Sequence, residues 1–158
     1  MANILIIGSG AIGAAFSVPC LDNKHQVKIV GTHLEDQFID DFNNNNNFHP
    51  SLKLNLSKKT KVLKYINLNN ELNKKLDLIV IAVSSKGINW IVDQLSNFSH
   101  SQSLPPILIL TKGLSIDKNI YELLFKKIGR LLDSKGFKNI NISAMGGPCL
   151  ATGLANKV

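Results

Sequence analysis

An apolar run, Ile4-Leu5-Ile6-Ile7, feeds directly into Gly8-Ser9-Gly10-Ala11-Ile12-Gly13. A G-x-G-x-x-G between a strand-length apolar run and an apolar-periodic stretch is the context in which such a loop binds a dinucleotide. The chemistry follows from what glycine lacks. Gly8 permits the tight turn, Gly10 has no side chain to hold a pyrophosphate off the backbone, and Gly13 lets the next helix lie close to its strand. A helix starting near Ala11 then points its free N–H groups and the positive end of its dipole at the phosphates. A tight Gly-rich turn with no ligand fits the same residues, so the flanking pattern is what favours binding.

Two more turns carry candidate groups. Thr111-Lys112-Gly113 closes an apolar run. Lys112 would stand at the mouth of the same crevice, its ammonium a point charge suited to a phosphate or a developing alkoxide. A surface lysine leaving a sheet fits that position equally well. Ser143-Ala144-Met145-Gly146-Gly147-Pro148-Cys149 reads as a strand end, a Gly-Gly-Pro turn and a helix start. That turn offers N–H groups to an anion, or is an ordinary strand–helix connection.

Cofactor choice rests on the end of the second predicted strand. Gly31-Thr32-His33 holds no acid and no arginine, and Glu35 and Asp36 come slightly late, on the next helix. Thr32 and His33 could each hydrogen-bond a ribose or a phosphate, and His33 is as readily an ordinary loop histidine. The ligand is NAD or NADP, leaning to NADP because no strand-end carboxylate would repel its 2′-phosphate. His25, His49 and His100 are scattered without metal-ligand spacing, so no metal site is expected.

The elements that must position these loops alternate between strand and helix. Strands are predicted at residues 4–7, 26–30, 62–66, 78–83, 107–110 and 140–143. Leu52, Leu54 and Leu56 alternate with polar residues. The continuous apolar run 78–83 marks a strand buried on both faces. Helices are predicted at 11–21, around Leu34, Phe38 and Phe42, briefly at 71–76, at 86–98 and at 117–132. The last has a stripe of Ile120, Leu123, Leu124, Ile128, Leu131 and Leu132. The Asn43–Asn47 run reads as a loop. The pattern predicts an α/β fold, a doubly wound, mostly parallel sheet with helices on both faces. Ligands on such sheets sit beyond the carboxyl ends of the strands.

Bulk properties narrow the class. A length of 158 residues fits one domain, with 44% hydrophobic and 18% charged residues. No apolar run approaches the roughly 18 residues of a membrane span. No signal peptide is read at the start. Cys20 and Cys149 form neither a disulfide framework nor a C-x-x-C, which implies a reduced, cytoplasmic setting. The net charge of +7 is spread in lysine pairs without a long basic run or interleaved aromatics. It reads as a solvated surface or a field for an anionic substrate rather than as nucleic-acid binding.

Three motifs in order resemble the N-terminal half of the NAD(P)-dependent glycerol-3-phosphate dehydrogenases. They are the 8–13 loop, Thr111-Lys112-Gly113 and Gly147-Pro148-Cys149-Leu150-Ala151. Ala82-Val83-Ser84-Ser85 is similar to the family's loop after the fourth strand. Gly31-Thr32, His49-Pro50 and the Gly-Gly-Pro-Cys spelling resemble one subgroup. The resemblance implies a Rossmann-type NAD(P)-binding domain over 1–158, stopping short at its C-terminal end. It implies hydride transfer between sn-glycerol 3-phosphate and dihydroxyacetone phosphate. Carried over residue by residue, Gly8, Ser9, Gly10, Ala11, Ile12, Gly13, Thr32, His33, Val83, Ser84, Lys112 and Ala151 would hold the cofactor. Lys112, Gly147 and Cys149 would meet a small phosphorylated substrate. Cys149 replaces the commoner Ser or Thr, and a thiol is the poorer donor, so its backbone N–H is the safer contact.

The family's general-base lysine lies in a C-terminal helical domain outside this sequence, which would also form any homodimer. The 158 residues alone are therefore expected to bind dinucleotide without turnover. Two other readings compete: a similarly built reductase such as a ketopantoate reductase, and a non-enzymatic dinucleotide-binding module. Thr111-Lys112-Gly113 and Gly147-Pro148 argue against the ketopantoate reductases.

Overall fold

The alternating side-chain directions of the first strand set the layers. In β1 (Asn3–Ile7), Leu5 and Ile7 face one side of the sheet while Ile4 and Ile6 face the other, and all four are buried. A strand apolar on both faces needs a helix layer on each. The computed structural model describes residues 1–98, 103–117 and 120–157.

Beyond β1 the chain forms α1 (Ala11–Asp22), β2 (Gln26–Val30), α2 (Asp36–Asn44), β3 (Phe48–His49), β4 (Leu54–Asn55) and β5 (Lys61–Leu63). It continues through α3 (Leu68–Leu72), β6 (Leu78–Ile81), α4 (Ile88–Leu95) and β7 (Ile107–Ile109). Next come β8 (Leu114–Asp117), β9 (Ile120–Leu123), α5 (Leu124–Ser134), β10 (Ile142–Ala144) and α6 (Ala151–Asn156). Six strands make one sheet in the order β10-β7-β6-β1-β2-β5, every neighbouring pair parallel. β3 and β4 form one small antiparallel pair, and β8 and β9 another.

Each helix buries one stripe against the sheet. Ile88, Ile91, Val92 and Leu95 of α4, with Leu124, Ile128 and Leu132 of α5, cover the face of Leu5 and Ile7. Ala14, Ala15 and Cys20 of α1, Ile39 and Phe42 of α2, and Ala155 of α6 cover the face of Ile4 and Ile6. This is the doubly wound α/β architecture expected from the sequence, with helices on both faces.

Several local expectations need correction. The helix predicted at 117–132 begins only at Leu124, and a hairpin of β8 and β9 precedes it. Ile116 and Tyr121 favour extended backbone, and that local preference wins over the helical spacing. Leu123 keeps ψ at 138° and is 43% exposed, so it ends a strand instead of joining the buried stripe. Residues 118–119 and the Ile120 side chain, part of that predicted stripe, lie outside the described residues, as does His100. In α2 the buried pair is Ile39 and Phe42, while Leu34 precedes the helix and is 82% exposed. The last strand, predicted at 140–143, forms at 142–144. Gly147-Pro148 does not start a helix, because α6 begins at Ala151.

Candidate functional site

The sheet order creates one crevice. From β1 the chain winds outward through β2 to β5, then crosses back to β6 and winds the other way to β10. β1 and β6 are neighbours, so the loops after them part at their carboxyl ends. Ligands of open α/β sheets bind at such a reversal. The 8–13 loop follows β1, and Ala82-Val83-Ser84 follows β6.

Backbone crowding explains two of the glycines. Gly8 has φ +109°, and a Cβ there would lie 2.6 Å from the Ala82 carbonyl oxygen. Its N–H donates to the Val30 carbonyl at 2.8 Å. A Cβ on Gly13 would strike the Gly8 carbonyl oxygen and lie 3.0 Å from Ala82 Cβ. Gly10 is different, since a Cβ there would meet nothing within 4 Å. Space is free beside Gly10 at the point where α1 begins. The first bond of α1 runs from Ala14 N–H to the Gly10 carbonyl at 3.0 Å. The N–H groups of Ala11, Ile12 and Gly13 precede it and face the loop end of the helix, where the dipole is positive. These features fit a dinucleotide pyrophosphate.

Ser9, in the middle of the loop, is 1% exposed and held from two sides. His49 Nε2 lies 3.2 Å from the Ser9 carbonyl oxygen. A carbonyl only accepts, so the ring carries its proton on Nε2 and donates it. Burial pushes the His49 pKa below its ordinary 6.5, against smaller raising effects of its backbone bonds and Glu35, which keeps the ring neutral. Phe38 and Phe42 pack edge-on against that ring, at centroid distances of 5.1 and 6.5 Å. On the other side, Glu35 Oε2 accepts the Thr32 N–H at 2.6 Å and, more weakly, the Ser9 N–H at 3.4 Å. The carboxylate absent from the strand end in the sequence is thus supplied by Glu35, folded back from the start of α2. This removes the ground for leaning to NADP.

Thr32 and His33 occupy the carboxyl end of β2 as expected. Thr32 is half-buried, and its Oγ1 accepts the Leu34 N–H at 3.4 Å. His33 joins an aromatic group with Trp90 and Tyr65, at centroid distances of 5.5 and 6.1 Å. The Tyr65 hydroxyl donates to Gln94 Oε1 at 3.1 Å, which fixes that ring.

The later loops meet on the far side of the crevice. Val83 is buried and Ser84 exposed. Thr111 Oγ1 donates to the Val83 carbonyl at 2.6 Å, tying the end of β7 to the end of β6. Lys112 Nζ donates to the Gly147 carbonyl at 2.7 Å and the Cys149 carbonyl at 3.0 Å. Lys112, Gly147 and Cys149, placed together by the motifs, are together in space, joined through backbone carbonyls. Gly147 has φ +84°, and Cys149 is half-buried. α6 packs along α1, and Lys157 pairs with Asp22 at 2.8 Å where both helices end. Ala151, the first residue of α6, is half-buried against the cluster that includes Ala14 and Ala15 of α1. Among the described residues, no cluster of His, Cys, Asp and Glu could hold a metal, and no helix is long and apolar enough to cross a membrane.

Sequence reasoning missed Glu35 and His49 as partners of the loop. His49 is 40 residues from Ser9, and only the Phe38 and Phe42 periodicity hinted at an aromatic pocket that would bury it. Glu35 stands three residues after Thr32, and that Thr-x-x-Glu spacing, in which the glutamate reaches back to the threonine N–H, is the signal that could have placed it.

A parallel sheet of this order with a glycine loop at its reversal defines a Rossmann-type domain of the dinucleotide-binding class. The chain belongs to the family described as NAD-dependent glycerol-3-phosphate dehydrogenase N-terminus, which it matches over residues 3–158. The NADP(+)-dependent glycerol-3-phosphate dehydrogenase of Archaeoglobus fulgidus is 25% identical over 158 residues, covering 98% of this chain and 44% of that relative. A glycerol-3-phosphate dehydrogenase (NAD(P)+) of Mesoplasma florum is 27% identical over 156 residues, covering 94% of this chain and 42% of that relative. In fold, the chain is similar to the Coxiella burnetii glycerol-3-phosphate dehydrogenase, with TM-score 0.75, 18% identity, and 99% and 44% of the two chains covered. The chain spans less than half the length of these relatives.

Proposed function

We propose that this chain is the cofactor-binding half of an NAD(P)-dependent glycerol-3-phosphate dehydrogenase. What supports the reading is the 8–13 loop at the β1–β6 reversal, together with the bonds from Lys112, which follows β7, to the Gly147 and Cys149 carbonyls after β10. A nicotinamide dinucleotide supplies hydride chemistry between sn-glycerol 3-phosphate and dihydroxyacetone phosphate. The chain's own residues bind and orient. Gly8, Gly10 and Gly13 make room, and the N–H groups of Ala11, Ile12 and Gly13 receive the pyrophosphate. Thr32 and His33 stand at the ribose end. Val83, Ser84 and Ala151 border the cofactor. Lys112 directs a fixed positive charge towards a phosphorylated substrate, beside Gly147 and the Cys149 N–H. The general base and any homodimer contact belong to a C-terminal helical domain, and the setting is cytoplasmic.

Turnover tests this reading. The protein carrying its helical half should oxidise NADH or NADPH with dihydroxyacetone phosphate and not with ketopantoate. Lys112→Met should lower kcat/KM for dihydroxyacetone phosphate by about a hundredfold, the loss of one charge-assisted contact to the substrate. The 158 residues alone should bind dinucleotide without turning over. Near-normal rates from them, or a preference for ketopantoate, would overturn the proposal.

A further inference from the structure

A cavity of about 410 Å³ lies at the opposite end of the sheet from the glycine loop. It opens between the amino ends of β1 and β2, the approach to β5, and the end of α3. Its volume is within the range of small-molecule sites. Ile4, Leu21 and Val27 line it from the α1 side of the sheet and Leu5 and Leu76 from the α3 side, so its apolar floor is the amino edge of the sheet itself. Around the mouth stand five lysines, Lys28, Lys59, Lys61, Lys74 and Lys75, against one carboxylate, Glu71.

That carboxylate is already neutralised. Glu71 is 5% exposed, and it accepts Lys28 Nζ at 2.8 Å and Lys74 Nζ at 2.7 Å. Lys59, Lys61 and Lys75 are exposed and form no ion pair among the described residues. His25 adds a donor. Its Nδ1 accepts the Ala2 N–H at 3.1 Å, so the neutral ring carries its proton on Nε2.

We propose that this cavity is a second ligand site, taking a small phosphorylated molecule with an apolar or planar body and at least two negative charges. The apolar floor takes the body, and the three unpaired lysines with His25 take the phosphates. Lysine is a point-charge phosphate binder, so a flexible polyphosphate suits this rim. A concave mouth without Phe, Tyr or Trp in its lining fits a small ligand better than a nucleic-acid strand, which uses stacking rings along a groove. The site is independent of the dinucleotide crevice, which opens at the other end of the strands.

The test is a calorimetric titration of the protein with ATP, inorganic triphosphate, a short RNA and vesicles containing anionic lipid. ATP should bind with the crevice already saturated by NADH, and more tightly than triphosphate. The double variant Lys59→Glu, Lys75→Glu changes two exposed residues and should weaken ATP by about tenfold while leaving NADH affinity unchanged. Absence of ATP binding at millimolar concentration would overturn the proposal, as would competition by NADH or an unaltered affinity in the double variant. Equal binding of triphosphate and ATP would overturn the role of the apolar floor. Rim-dependent binding of RNA or vesicles tighter than that of ATP would overturn the small-ligand assignment. A loss of NADH binding with ATP binding retained would instead overturn the crevice reading alone.

Discussion

His49 Nε2 donates to the carbonyl of Ser9 across 3.2 Å, joining a two-residue strand in the β2–β5 crossover to the middle of the glycine loop. The bond lies in a pocket where His49 is 2% exposed and Ser9 1% exposed. In a site this dry, an unmade hydrogen bond costs more than the same bond gains at the surface. The loop that would cradle a pyrophosphate is therefore shaped partly from outside its own six residues.

Replacement of His49 separates packing from donation. His49→Leu fills the pocket but leaves the Ser9 carbonyl without its donor, and should cost ~1–3 kcal/mol of stability. It should also weaken NADH binding, because the loop loses its fixed geometry. His49→Gln can place an N–H near the same point and should recover most of the affinity. Thermal unfolding and NADH titration of both variants check this; equal losses would make His49 a packing residue only.

The same histidine gives an acid limit to stability. Burial holds its folded-state pKa below the ordinary 6.5, so as pH falls below that value the unfolded chain takes up the proton first. Stability from His49 is complete above about pH 6.5 and is lost as pH falls towards the folded-state value. At Glu71, burial works to raise the pKa, but hydrogen bonds and charges from Lys28 and Lys74 lower it overall below 4.5. Its contribution is present above that value and is lost as pH falls through the lowered pKa. Denaturant midpoints measured across this range should decline in two separate stretches. His49→Gln should flatten the upper one and Glu71→Gln the lower one.

Gly13 should tolerate no side chain. A Cβ there strikes the Gly8 carbonyl, which is backbone and cannot rotate away. Gly13→Ala should destabilise by about 1–3 kcal/mol, the range for overpacking, and should abolish NADH binding by displacing α1 from β1. Gly10→Ala has open space around it. It should leave the melting temperature nearly unchanged while weakening NADH, because its Cβ enters the volume a pyrophosphate would fill.

Glu35 should govern the choice of dinucleotide. Its carboxylate at the end of β2 can pair with a ribose 2′-OH and repels a 2′-phosphate. Glu35→Gln should shift the ratio of NADPH to NADH affinity by about tenfold towards NADPH, the scale of one charge contact. Fluorescence titrations with the two reduced nucleotides measure it, and an unchanged ratio would remove Glu35 from discrimination.

The sheet was legible because its strands are unambiguous. The 78–83 run can be only a strand or a buried segment, and β-branched residues with a turn on either side decide it. α4 was legible because Ile88, Ile91, Val92 and Leu95 all fall on one helical face, and all are buried. The β8–β9 hairpin was not, since Ile120 and Leu123 fit the helical spacing of the 117–132 stripe, while Ile116 and Tyr121 favour extended backbone. In the site, loops that follow strands directly could be placed from spacing. The bond of Glu35 with Thr32 is local, three residues apart in a Thr-x-x-Glu spacing, but the contacts of Glu35 and His49 with Ser9 depend on how a crossover folds back, and that is written in no local pattern.

A titration of the 158-residue protein with NADH and NADPH, followed through its backbone amide resonances, tests the central claim most directly. Saturable binding with the largest shifts at Gly8, Gly10, Ala11, Ile12 and Gly13 is the predicted result. No binding of either nucleotide, or shifts confined to the amino ends of the strands, would contradict it.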